Sequence, residues 1–460
     1  MKSITKEPTD ANLDEVAEND VLERNIFIAK FINRLASIEG NYSIAVDGRW
    51  GSGKTFFIKQ TERVIQQIFR NKLNSDVKEN PILCQTFANL FNVERITSHP
   101  MMTLYYDAWK HDNQQDALLS LVYEIAKKAP SINPQLQIEP SQMDKFRNGI
   151  ITVAEGLINH FSGIDLEKFK NVANEIFQET KKQDDLELLL KDFFNNLLQN
   201  KNNRLVIFID ELDRCKPVYA VQLLERLKHY MTSDNIIFVF AVNIHQLQHT
   251  IKHYYGEDFE ASSYLDRFFD LHVTLPVPDT IKRRETFHIG EYGSVFDQWC
   301  QILVDEFNFE LREQIHFKES IEQSIHVSND KLMSNTHSYF DEVNVLKFLF
   351  SFFAPLAIAL KIKNINDYYS FIDGENIKAL DILKNHLSEI PTDYFCKKFN
   401  IDSSLEKDTK YEKIKSSLDE LYINVFKYSY YFRGNTTQLN KFEINYAIKD
   451  AFVNQISFLS

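Results

Sequence analysis

The chain has 460 residues, 44% hydrophobic and 25% charged, with a formal net charge of −13. That length suits two or three domains around large cores, and the acidic balance argues against a nucleic-acid coating role, which needs Lys and Arg to neutralise phosphates. The four cysteines, Cys84, Cys215, Cys300 and Cys396, form no Cys-x-x-Cys pair, so neither a zinc site nor a disulfide framework is indicated and a reduced, cytoplasmic compartment fits.

Residues 1–19 are polar and acidic, lack the apolar core of a signal peptide, and read as a disordered tail. Over 20–38, Val21, Leu22, Ile26, Phe27, Phe31, Ile32 and Leu35 recur at helical spacing. Residues 42–46 read as a short buried strand. Gly48 to Thr55 then fits G-x-x-x-x-G-K-[ST], and 56–69 reads as a helix. Strand, glycine loop and helix together are the context that makes this pattern a phosphate-binding loop. Gly48, Gly51 and Gly53 let the backbone curl so that successive N–H groups point at phosphate oxygens, and the helix N-terminus adds partial positive charge. Glycine is scarce here, 12 in all, yet four of them (Gly40, Gly48, Gly51, Gly53) fall in this stretch. The candidate nucleotide contacts are Gly48, Arg49, Trp50, Gly51, Ser52, Gly53, Lys54, Thr55 and Phe56. Lys54 is suited to the β- and γ-phosphates and Thr55 to Mg2+. The 20–38 helix either packs beside the nucleotide base or is a plain core helix.

A polar link over 71–80 leads to a strand over 102–106, and polar residues 107–112 follow at its carboxyl end, where ligands bind in open α/β sheets. From 116 to about 200 the pattern is mostly helical, which reads as a layer inserted at about 113–200. Residues 205–209 and 236–242 are continuous apolar runs, as expected of strands buried on both faces of a parallel sheet. A helix over 217–231 separates them, and 271–275 is the last clear strand. Alternating strands and helices behind a phosphate loop predict an α/β three-layer core with a mostly parallel sheet. Beyond Pro278 the pattern is helical to the end of the chain. The longest apolar run, 348–360, is shorter than the ~20 residues that span a bilayer. It reads as a buried helix broken near Pro355, with a re-entrant membrane segment as the lesser alternative. The expected domains are therefore 1–19, 20–280, a lid-like helical region 281–365 and a helical region 366–460.

Leu205 to Arg214 reads Leu-Val-Ile-Phe-Ile-Asp-Glu-Leu-Asp-Arg. An acid after a buried strand and downstream of a phosphate loop is the Walker B pattern. Asp210 then holds Mg2+, mostly through water, and Glu211 polarises the attacking water as general base. Asn243 ends the next strand, where an amide orients water or senses the γ-phosphate, or simply forms a turn. Arg267, just before a strand, is either an arginine finger for a neighbouring subunit or a surface ion-pair residue. Arg214 is a second candidate that pairs instead with Asp213 or Glu211. Arg312 lies in the following helical region and is a candidate lid contact to phosphate. His245, His249 and His253 share one helix face. A solvated face is the favoured reading there, because no carboxylate or Cys completes a metal set.

Residues 47–55 (Asp-Gly-Arg-Trp-Gly-Ser-Gly-Lys-Thr), 106–112 (Tyr-Asp-Ala-Trp-Lys-His-Asp), 208–217 (Phe-Ile-Asp-Glu-Leu-Asp-Arg-Cys-Lys-Pro) and 238–243 together resemble the KAP family of P-loop NTPases. The resemblance covers roughly 20–280, and weakly to about 365. Its most specific piece is the Walker B stretch running into Asp-Arg-Cys and Pro. Family members resemble STAND and AAA-type ATPases in core layout. Many carry transmembrane helices between the Walker motifs, and this chain looks like a soluble branch without them. The family usually has Asn where Asp107 stands, Asp at Glu211 and at Asn243, and often Lys at Arg267. Glu211 and Asn243 thus move toward AAA-type practice, which favours hydrolysis. Prokaryotic members are associated with plasmid- or phage-borne exclusion and with antiphage defence, which the resemblance alone implies.

The expected function is a Mg2+-dependent ATPase acting as a switch or assembly protein, with a homo-oligomer and an effector or phage-derived trigger as candidate partners. A nucleotide-bound scaffold that recruits a partner through the aromatic-rich C-terminal region is the rival from another class. A phosphotransferase is the third, disfavoured because Glu211 and Arg267 suit water activation and charge stabilisation better.

Overall fold

The computed structural model describes residues 7–69, 79–88, 90–91, 99–114, 116–132, 191, 194–195, 197–198, 203–230, 235–276, 288–289, 291, 293–334, 342–428, 437–439, 442–444 and 446–457. Most of the inserted layer expected at 113–200, and most of the polar link at 71–80, lie outside them. The chain divides into two compact units at Pro278/Asp279, each with its own apolar core.

The first unit is built on a five-stranded sheet in the order β2-β3-β4-β1-β5. Its strands are β1 (Tyr42–Asp47), β2 (Met101–Asp107), β3 (Arg204–Asp210), β4 (Ile236–Val242) and β5 (Leu271–Thr274). All pair in parallel. Every residue of β3 and β4 is buried, which is why both read as unbroken apolar runs. The register pairs Asp107 with Asp210 and Asp47 with Val242. Parallel pairing therefore brings the carboxyl ends of β1, β2, β3 and β4 to one edge. Because β4 lies between β1 and β3, Asn243 follows a strand set between the phosphate loop and Asp210.

The phosphate-loop helix Lys54–Phe69 packs on β2. The helix Asn25–Ser37 lies against it, with Phe27 and Phe31 each 5.4 Å from the Phe57 ring. Helices Ala117–Ile132, Pro217–Tyr230 and Ile244–Tyr255 form a second packed group.

Two expectations at the N-terminus need correction. Residues Asp10–Glu18 form a helix, capped by Thr9, that buries Leu13, Val16 and Ala17. Arg63 of the phosphate-loop helix grips Asp14 with two hydrogen bonds of 3.0 and 3.1 Å. Acidic composition had masked three apolar positions at helical spacing. The following helix also begins later than expected, at Asn25, because Asp20 and Glu23 take positive φ.

In the second unit one core runs from Ile289 to Ile456, so no division falls at 365. Its last stretch is not purely helical: β6 (Thr437–Leu439) and β7 (Phe442–Ile444) form an antiparallel hairpin. The apolar run is not broken near Pro355 either. It continues from Glu342–Phe348 through a π-helical turn, Leu349–Phe353, into Ala354–Lys363. Proline supplies no N–H, and the helix accommodates it by widening. The buried Trp299 indole donates to the Phe352 carbonyl of this turn at 2.9 Å. The stretch Val345–Lys363, 19 residues with a mean hydropathy of 1.9, is long and apolar enough to cross a membrane. Two thirds of it is buried within the protein, as a core helix would be.

Candidate functional site

The phosphate loop leaves β1 at Asp47. The Gly48 N–H donates to Val242 O at 3.2 Å, which ties the loop to β4. Gly51 and Gly53 have φ of 84° and 86°, conformations that only glycine adopts cheaply. A Cβ at Gly48 would lie 2.6 Å from Ser52 Oγ, so any side chain there would displace that hydroxyl. Lys54, buried at 8% exposure, folds back on the loop and donates to Gly48 O at 2.6 Å and Arg49 O at 3.2 Å. Burial lowers its pKa, against the pull of Asp213, Asp210, Glu211 and Asp47.

Asp210 ends β3 with only 1% exposure and is the centre of a polar network. It accepts from Tyr105 Oη at 2.9 Å and from the Glu211 N–H at 2.9 Å. Burial raises its pKa, and those two donors, with nearby Thr55 and Lys54, work the other way. Glu211 sits in the left-handed region (φ 59°, ψ 24°), so the chain turns sharply as it leaves the strand. Burial and the neighbouring Asp210 push the Glu211 carboxyl up to about 7, while Arg214 opposes them.

Arg214 pairs with Glu211, Nε to Oε2 at 2.6 Å. Its guanidinium lies 5.5 Å from the Trp50 ring and 5.7 Å from the Trp109 ring. Trp50 in turn donates its indole N–H to Asp213 at 2.6 Å. The tip of the phosphate loop is thereby tied to the segment that follows the Walker B acids. Arg49 is exposed beside it, and Phe56 is half-buried at the start of the helix.

Asn243 caps the helix Ile244–Tyr255 by accepting from the Gln246 N–H at 3.2 Å. Asp47 accepts from the Ile244 N–H at 2.9 Å. The second bond locks the ends of β1 and β4 together, and the first gives Asn243 a turn-forming part alongside any contact to water. Arg267 is exposed and precedes β5, at the amino end of the sheet, where Asp270 N–H meets Ser43 O. The phosphate loop begins five residues further along β1, roughly 16 Å at strand rise, so Arg267 cannot serve its own chain's loop. Arg312 belongs to the second unit, in the helix Leu311–Ser334. His245 and His249 meet edge to face with ring centroids 4.7 Å apart, and no metal-binding group of three or more His, Cys, Asp or Glu occurs among the described residues.

Sequence reasoning missed Arg24 and Tyr105. The Arg24 guanidinium is buried behind the loop and donates to Ser52 O (2.8 Å), Gly53 O (3.2 Å) and Pro276 O (3.5 Å). Its partners stand 28, 29 and 252 positions away, and no local pattern signals that. Tyr105 reads only as a strand residue until the β2–β3 register sets it beside Phe208.

The residues fit a nucleotide with a hard divalent cation. Ser52 Oγ is buried in the loop with no hydrogen-bond partner in the protein. The oxygen set of Thr55 and Asp210 suits Mg2+. A family profile described as KAP family P-loop domain matches residues 24–288. No curated protein sequence matches the chain. Among solved structures, the chain is similar to the Aeropyrum pernix ORC2 protein in ADPNP–ADP complexes at 10% identity, covering 96% of this chain and 93% of that one with a TM-score of 0.30. It is also similar to Caenorhabditis elegans PCH-2 at 10% identity, covering 90% and 70% with a TM-score of 0.23.

Proposed function

Because the chain belongs to the KAP family of P-loop NTPases, we propose that it is a Mg2+-dependent ATPase whose binding or turnover of ATP switches conformation or assembly. One observation carries this reading: the buried Asp210 carboxylate, bonded by Tyr105 Oη and the Glu211 N–H, ends β3 at the same sheet edge from which the phosphate loop with Lys54 and Thr55 leaves β1. Lys54 exchanges the Gly48 and Arg49 carbonyls for phosphate oxygens, and the unpaired Ser52 hydroxyl gains an acceptor. Thr55 and Asp210 hold the metal ion, which neutralises charge on the phosphates when bound. Glu211 takes the proton of the water that attacks the γ-phosphorus, with ADP leaving. Asn243 offers its amide N–H to that water or to the γ-phosphate. Arg267 acts in trans, on the nucleotide of a second copy.

A second reading is favoured by the occupied Glu211 carboxylate. An Arg214-paired acid suits a nucleotide-bound scaffold that holds ATP without turning it over. Hydrolysis per mole of protein, measured across a concentration series with Lys54→Ala and Glu211→Gln as controls, separates the two. Specific activity that rises with concentration supports a site completed by a second copy. Flat activity, lost in both controls, supports a self-contained ATPase. No turnover at any concentration, with nucleotide still bound, supports the scaffold.

The biological setting we propose, resting on family resemblance alone, is cytoplasmic antiphage defence with a phage-derived trigger or an effector partner. Phage plating on cells carrying the wild type or Lys54→Ala tests it, and equal plating on both overturns it.

A further inference from the structure

A cavity of about 500 Å3 opens at the carboxyl end of the edge strand β2, apart from the phosphate loop. Lys59, Lys110, Lys127 and Lys128 all line it. They come from three elements: the phosphate-loop helix, the short helix Ala108–His111 and the helix Ala117–Ile132. The acids on the same wall are Asp107 and Glu124. Asp107 is engaged as a helix cap, accepting the Lys110 N–H at 3.1 Å. Glu124 faces Lys127 at 3.6 Å. Glu62, close to Lys59 and Lys128, is a third acid beside them, and burial favours its neutral form; in a chain of net charge −13, the four ammonium groups around one concavity still repel one another unless an anion offsets them.

We propose that this cavity is a second anion site, which binds a compact di- or triphosphate group. The volume falls within the usual range for small-molecule sites, roughly 300–1,000 Å3. Lysine is a point charge suited to phosphate, and the charge balance turns away metal cations. A single concavity, not a basic stripe, argues for a small ligand and not a nucleic-acid strand. Its floor is Tyr105, which reaches both sites. Lys59 Nζ lies 4.3 Å over the Tyr105 ring, and Lys128 donates to the Tyr105 carbonyl at 3.0 Å. The same residue's hydroxyl donates to Asp210 at 2.9 Å. Filling the cavity therefore acts on the Walker B carboxylate through one side chain. The site goes beyond the hydrolytic reading and stands whether or not the chain turns ATP over.

Calorimetric titration of the full-length chain with sodium tripolyphosphate tests the proposal. The wild type should take up two equivalents, Lys54→Ala one, and Lys110→Glu/Lys127→Glu one. In the triple variant the remaining binding should weaken at least tenfold. Both reversed lysines are exposed, so the fold should survive, which circular dichroism checks. Titration with ADP in parallel identifies the source: tighter binding than tripolyphosphate in Lys54→Ala points to a nucleotide, and equal binding to the phosphate chain alone. A wild type that binds a single equivalent overturns the proposal. So does a residual site in Lys54→Ala that the two charge reversals leave unchanged.

Discussion

Arg24 carries consequences far from its own position. One guanidinium satisfies the carbonyls of Ser52, Gly53 and Pro276, so it holds the phosphate loop and the chain beyond β5 from behind. Arg24→Ala leaves those acceptors without the donor, and a buried group so stranded costs about 1–3 kcal/mol. The expected outcome is a loss of roughly 2–4 kcal/mol in urea unfolding and at least a tenfold drop in ATP affinity. Unchanged affinity would show that the loop keeps its shape without this clamp. At Glu211 the sign of the pH dependence follows from its role. A general base must be deprotonated, and this carboxyl is pushed up to about 7. The kcat/KM for ATP should therefore rise with pH to a plateau above about 7. Glu211→Gln should lower kcat on the order of 100-fold or more. An acid limb near the ordinary carboxylate value of 4.5 would remove Glu211 from that role. The phosphate-loop residues and the Walker B acids were legible because their spacing is local. Arg24 was not, because a long-range donor to loop carbonyls leaves no periodic trace.

Elements were legible where period and punctuation agree. The alternation of apolar runs with helical stretches gives the parallel sheet, and strand β4 carries the bounds expected of it. The helix Asp10–Glu18 was hidden because its buried face is only Leu13, Val16 and Ala17 on an acidic background. The β6–β7 hairpin was hidden because each strand has three residues, too few to show alternation. The phosphate-loop helix carries a pH effect of its own. Burial pushes the Glu62 carboxyl up to about 7, against Lys128, Thr103 and Lys59. Between pH 4.5 and 7 the folded chain then holds a proton that the unfolded chain has released, so stability falls as pH rises through that window. Glu62→Gln should flatten this slope and be more stable than the wild type above pH 7 by roughly 1–3 kcal/mol, measured by urea unfolding at a series of pH values. A variant less stable than the wild type at pH 8 would show that the ionised carboxylate is well paired. The Arg63–Asp14 fork is a second test at this scale. Arg63→Ala should cost about 1–3 kcal/mol and speed amide exchange in Asp10–Glu18 before the sheet.

The described residues form two cores that the chain visits one after the other. A unit that buries its own apolar residues is expected to fold alone. Residues 1–278 expressed alone should therefore bind ATP within threefold of the full chain. A tenfold loss would show that the first unit does not hold its nucleotide-binding fold alone. The chain changes pattern after Pro278, and the two compact units divide there. The unity of the second unit was not legible, since its core joins helices and a hairpin drawn from the whole of 289–456. The arrangement around Arg214 also makes the protein its own optical probe. The chain has three tryptophans. Trp299 is fully buried in the second unit, while Trp50 and Trp109, 45% and 53% exposed, flank the one guanidinium that grips Glu211. Any event that moves this cation changes the quenching of two solvent-facing indoles and leaves the third as an internal reference. Emission intensity and wavelength should thus follow the Walker B turn in real time, with no dye attached and no residue replaced.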